Sequence, residues 1–115
     1  MGSESRRFID RIAFELDLLA RNAEILQRVA SEGPIGIIRL SSKMRLPLHK
    51  VRYSLHILEA EGMIRPTPGG AVVTERGEAY EGVLGSGLER VTEAIEFLKE
   101  RVAEERGRPV RRRSD

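Results

Sequence analysis

Apolar residues in the first quarter of the chain recur at Ile12, Leu16, Leu19, Ala23, Leu26 and Ala30, in alternating steps of four and three. That spacing lines them along one side of a helix and predicts a helix over residues 5–32. A second stripe, Ile9, Leu18, Ile25 and Val29, adds more apolar surface than a helix with one wet side carries. The helix is therefore expected to be sandwiched inside the domain or to pack on a partner subunit. Asn22 has the chemistry of an N-cap and offers a break into two helices near Arg21. "SEGP" at 31–34 ends the segment, with Gly33 as C-cap and Pro34 as stop.

"IGII" at 35–38 suits either a short strand or a helix start. Leu40 and Met44 have helical spacing, and Pro47 is expected to close that short helix, because the residue before a proline is pushed out of the helical region. A second helix is expected from about Leu48 to Glu61, stopped by Gly62. "MIRPTPGGAVVT" then reads as a hairpin. Met63–Arg65 and Ala71–Val73 are its extended runs, and "TPGG" supplies a proline and glycines for the turn. Thr74 has the character of the next N-cap, with Glu75 favourable in the first turn.

"GVLGSGLERV" interrupts the helical pattern. Ser86 followed by Glu89 is a capping box and points to a fresh helix there, a continuous bent helix being the alternative. Beyond it Leu84, Leu88, Val91, Ile95, Leu98 and Val102 again alternate steps of four and three. The end, "GRPVRRRSD", is polar and basic, and is expected to be disordered.

Net charge is only +2, so the total points to no partner, but the charges are segregated. From Gly33 to Leu58 there is no Asp or Glu, while Arg39, Lys43, Arg45, Lys50 and Arg52 are all present. From Val73 to Arg106 nine Glu face five Lys or Arg. Such segregation can mark a nucleic-acid face. On a wheel of about 100° per residue, Val51, Leu55, Leu58 and Gly62 fall on one side of helix 48–61. His49, Tyr53, His56 and Ala60 fall on the other, flanked by Lys50 and Arg52. The outward side thus offers donors and a phenol hydroxyl, and no carboxylate to repel phosphate. Arg and Lys can donate to guanine in a major groove, and His and Tyr can bond base edges or phosphates. His49, Arg52, Tyr53 and His56 are expected nearest to bases, and Lys43, Arg45 and Lys50 at phosphates. Arg65, at the base of the hairpin, is placed for a further contact.

The stretch "LSSKMRLPLHKVRYSLHILEAEGMI" resembles the winged helix-turn-helix of prokaryotic and archaeal transcriptional regulators of the MarR, PadR and ArsR type. Leu40 opens the first helix of that pattern, and Ser41 stands where a small residue packs. Val51, Leu55 and Leu58 make a Val-x-x-x-Leu-x-x-Leu spine, leading to Glu59, Gly62, Met63 and Ile64. "VVTERGEAY" is similar to the Leu-Thr-x-x-Gly that follows the wing. The resemblance covers about residues 22–82. Two positions depart from it: the tight turn has Arg45 where glycine is common, and Ser41 replaces the usual alanine. It implies a mainly α fold with a small β-hairpin, a winged helix-turn-helix with helical extensions at both ends. It also implies a sequence-specific double-stranded DNA-binding regulator, with helix 48–61 in the major groove and hairpin 63–74 as the wing.

The expected division is 1–21 as an N-terminal helix, 22–84 as the DNA-binding domain, 85–106 as a C-terminal helix and 107–115 as a basic tail. Both terminal helices have apolar seams, and are expected to pack together and across the two-fold axis of a homodimer. The rival reading is a winged-helix module that binds protein in a transcription or replication assembly, with Ile57 as an exposed contact. No glycine-rich phosphate loop, metal-ligand cluster or nucleophile–base pair is visible, so an enzyme is not expected. No cofactor and no metal are implied, and no residues suggest an effector pocket. His49 and His56 are seven residues apart, about 10 Å along a helix, too far to share one ion unaided. The chain has no cysteine and no apolar run near the roughly 18 residues of a membrane span. It is expected to be soluble and cytoplasmic.

Overall fold

A computed structural model describes residues 3–107, with side chains described over 6–105. The tail 108–115 lies outside the described residues. The chain divides into two units, Met1–Gly82 and Val83–Asp115. The first holds α1 (Ser3–Glu32), α2 (Ile37–Met44), α3 (Leu48–Ala60), β1 (Ile64–Thr67), β2 (Gly70–Val73) and the start of α4 (Glu75–Gly107). The fold is mainly helical with one small antiparallel hairpin.

The helix α1 runs unbroken through Asn22, so that residue is not a cap. Its amide oxygen is buried with no hydrogen-bond partner among the described residues. The two halves of α1 differ in environment. Ile25, Leu26 and Val29 are fully buried. Phe8, Ile9, Ile12, Phe14 and Leu16 are exposed. The C-terminal half packs on α3 and β2, and with Leu40, Val51, Leu58 and Ile64 it closes the core of the first unit.

"IGII" serves as both a strand residue and a helix start. Ile35 makes a bridge to Ala71, with Ile35 N–H donating to Ala71 at 3.1 Å and Ala71 N–H donating back at 2.9 Å. Gly36 is the N-cap of α2. The helix ends at Met44, earlier than a stop at Pro47 requires, because Arg45 reverses the chain in the left-handed region at φ 57 and ψ 44. Pro47 is instead the N-cap of α3. The turn thus keeps the conformation that glycine favours, although the residue is arginine. Ser41 fastens it from below: its carbonyl accepts Leu46 N–H at 3.1 Å, and its hydroxyl donates to the Leu46 carbonyl. Alanine could supply only the first bond. A left-handed conformation costs an L-residue roughly 1–2 kcal/mol. Arg45→Gly should therefore raise stability by about 1 kcal/mol in urea unfolding, with an unchanged m-value.

The hairpin pairs Ile64 with Val73, Arg65 with Val72, Pro66 with Ala71 and Thr67 with Gly70. Pro68 and Gly69 form the turn. Thr67 closes it: its hydroxyl accepts Gly69 N–H at 3.2 Å and donates to the Gly70 carbonyl at 2.6 Å. Thr74 caps α4 by accepting Gly77 N–H at 3.1 Å, and its hydroxyl donates to the Gly62 carbonyl at 2.6 Å. One threonine thus ties the start of α4 to the end of α3. Gly77 is required here because a β-carbon would strike the Met63 carbonyl and come within 2.8 Å of Val73.

No fresh helix starts at Ser86. Helix α4 is continuous from Glu75 to Gly107, and the Ser86 hydroxyl donates to the Val83 carbonyl at 3.2 Å, a bond back into its own helix. Local capping chemistry gives way to the uninterrupted backbone ladder.

Candidate nucleic-acid interface

The helix α3 is anchored by Val51, Ser54 and Leu58, all buried, with Leu55 half-buried beside them. The wheel reading placed Leu55 in the buried spine and missed Ser54, which is 0% exposed. Its position three residues after Val51 and four before Leu58 was the available signal; its polarity concealed it. Ser54 Oγ accepts a hydrogen bond from Arg21 Nε at 2.9 Å. A buried hydroxyl is costly without a partner, and α1 supplies one, so this bond fixes α3 against α1. Ser54→Ala should cost about 1 kcal/mol by removing it. Thermal unfolding of that variant beside Arg21→Ala and the double variant checks the pairing, since the second substitution should add little to the first.

With that side held, His49, Lys50, Arg52, Tyr53 and His56 are all exposed on α3. Arg45 is exposed in the turn just before it, and Arg65 on β1 next to the buried Ile64. Among the described residues Arg45, Lys50, Arg52 and Arg65 take part in no ion pair. Their charges are therefore not neutralised by ion pairs among the described residues. The helix α3 also begins with no acid in its first turn and no side-chain cap. Its first amides and partial positive charge point toward the same end as His49 and Lys50.

Lys43 is differently placed. Its ammonium is 3.1 Å from Glu32 at the end of α1. The hydrogen bond from Lys43 lowers the Glu32 pKa, helped by the charges of Lys43, Arg28 and Arg39 and opposed by burial. A carboxyl so lowered adds stability above its ordinary range, and that contribution is lost as pH falls through the lowered value. The chemistry of Lys43 is thus already engaged in joining α2 to α1. Ile57 is half-buried, so it offers less of a protein contact than its place on the wheel suggested.

Between α3 and the hairpin lies a cleft of about 270 Å³. Arg52, Leu55, His56 and Glu59 of α3 line it, facing Ile64, Pro66, Thr67, Gly70 and Ala71 of the hairpin across a floor that includes Ile35 and Ile37. The fold thereby brings Arg52 and His56 to the edge of one gap. Tyr53, His49 and Lys50 stand outside its lining. Among the described residues no group of three or more His, Cys, Asp or Glu is arranged to hold a metal ion. Among the described residues no helix is long and apolar enough to cross a membrane. In comparison with known proteins, the chain matches no family model and no curated relative.

Proposed function

We propose that this chain is a winged helix-turn-helix transcriptional regulator that binds double-stranded DNA through α3. The observation that carries the reading is the outward side of α3: five exposed donor residues, His49, Lys50, Arg52, Tyr53 and His56, with no carboxylate between Gly33 and Leu58. The element order supports it, since a helix, tight turn and second helix lead directly into a two-stranded hairpin. In this reading α3 lies in the major groove, and Arg52, Tyr53, His49 and His56 address base edges. Arg45 and Lys50 meet phosphates at the head of α3, and Arg65 carries the hairpin's contact.

One such helix reads only a few base pairs, and dimers read two half-sites about one DNA turn apart. Exposed apolar residues support a homodimer: Phe8, Ile9 and Ile12 on α1, and Leu88, Val91 and Ile95 on α4. Sedimentation equilibrium at tens of micromolar should give twice the chain mass; a monomer there removes the dimer from the proposal.

Selection of bound duplexes from a random DNA pool tests the reading of sequence. One motif should emerge, and Arg52→Ala and Tyr53→Ala should each relax it at separate positions. If both variants keep the wild-type preference, α3 does not make the base contacts. A module that binds protein through the same surface would instead enrich no motif at all.

A further inference from the structure

The second unit contains most of α4, and its apolar positions carry an internal symmetry. Leu88, Val91, Ile95, Leu98 and Val102 each keep between 38% and 58% of their surface exposed. Taken as a heptad seam, Leu88, Ile95 and Val102 occupy a, and Leu84, Val91 and Leu98 occupy d. The exposed a and d positions then mirror about Glu93, Leu88 with Leu98 and Val91 with Ile95, while Leu84, the mirror of Val102, is buried and lies outside the exposed seam.

The flanking positions decide how two such seams can meet. Lys99 lies at e and Arg101 at g, and no acid occupies e or g between Gly85 and Arg101. Lys99 Nζ is 3.9 Å from Glu96, and the Arg101 guanidinium lies 5.4 Å from the centroid of the Phe97 ring. A parallel pair sets both cations of each helix at one level, with no carboxylate in the e and g rows to separate them. An antiparallel pair centred on Glu93 sets each Lys99 opposite Gly85 and each Arg101 opposite Gly87. Like cations are then about 18 Å apart or more along the axis, over twice the roughly 8 Å screening length at physiological salt.

The glycines supply the second observation. Glycine is disfavoured inside a helix, yet a β-carbon at Gly85 or Gly87 would meet nothing within 4 Å among the described residues. Neither has a positive φ. The described residues therefore give no packing reason for them, whereas the stems of long cations from a second helix crossing that turn give one. We propose that residues 85–101 of α4 pair antiparallel with the same segment of a second copy, centred on Glu93. This rests on the dimer reading and adds its orientation.

The chain lacks cysteine, so disulfide trapping has no background. Leu88→Cys and Leu98→Cys, one carrying a mass tag, are oxidised separately and as a 1:1 mixture. The expected result is a covalent heterodimer in the mixture and no covalent dimer from either variant alone. Covalent dimers from the single variants mean a parallel pair and overturn the proposal. Wild-type dimer mass by sedimentation with no trapping in any sample places the interface elsewhere and also overturns it. Monomer mass instead rejects the dimer reading itself. As a second readout, Gly85→Leu with Gly87→Leu should keep or raise helicity by circular dichroism while weakening dimerisation at least tenfold. An unchanged dimer with those leucines contradicts the close approach.

Discussion

Gly70→Ala is expected to destabilise the fold by about 3–4 kcal/mol, adding a left-handed penalty to an overpacked contact. Gly70 opens β2 at φ 127, a conformation that L side chains rarely adopt. A β-carbon there would lie 2.5 Å from the Ile35 carbonyl carbon, 2.7 Å from its oxygen and 2.8 Å from the Gly36 nitrogen. These are backbone atoms and cannot rotate away. Residues 35 and 36 must shift, and the bridge between Ile35 and Ala71 breaks with them. Gly36 caps α2, so the damage extends from the hairpin to the first helix of the turn. Gly36→Ala is the control, because a β-carbon there meets nothing within 4 Å. It should cost less than about 1 kcal/mol. Denaturant unfolding of the two variants side by side separates steric exclusion at one glycine from tolerance at its neighbour.

The second large effect concerns binding. Lys50→Glu combined with Arg52→Glu should weaken duplex binding at least 100-fold at about 100 mM salt. Each good base or phosphate contact is worth roughly 1–3 kcal/mol, and reversal adds repulsion to the loss. Both side chains are exposed and have no ion-pair partner among the described residues. The melting temperature should therefore stay within about 2 °C of wild type, as expected for surface substitutions. Arg45→Gly should separate stability from binding in the opposite sense. It relieves the left-handed turn, yet removes a cation from the head of α3, so the variant should melt higher and bind more weakly.

The elements themselves were largely readable, because strong local signals agree with the fold. Period-3.6 spacing, Gly62, "TPGG" and Thr74 mark the ends of α3, the hairpin and the start of α4 within a residue or two. The misreadings have definite physical causes. Asn22 and Ser86 have capping chemistry, but each lies where the helical ladder continues, and the ladder prevails. Arg45 takes a backbone conformation that its side chain does not announce, held by two bonds from Ser41. Ser54 is a core residue whose hydroxyl reads as surface until Arg21, 33 residues away, is brought to it.

The candidate surface divides in the same way. The acid-free stretch and the outward side of α3 follow from composition and helical period. The engagement of Lys43 by Glu32 does not, because only the folded chain brings α2 against the end of α1. The cleft that gathers Arg52 and His56 beside the hairpin is likewise a tertiary feature, made by three separate segments.

The central claim, that α3 engages duplex DNA, is tested most directly by fluorescence anisotropy of a labelled duplex over a series of salt concentrations. Arg45, Lys50 and Arg65 at phosphates imply a slope of log K against log salt of about −3 per chain, near −0.9 for each neutralised phosphate. Lys50→Ala should make that slope shallower by about one unit. The account predicts both results. No measurable affinity for any duplex at about 50 mM salt, or binding that Lys50→Glu with Arg52→Glu leaves intact, contradicts it.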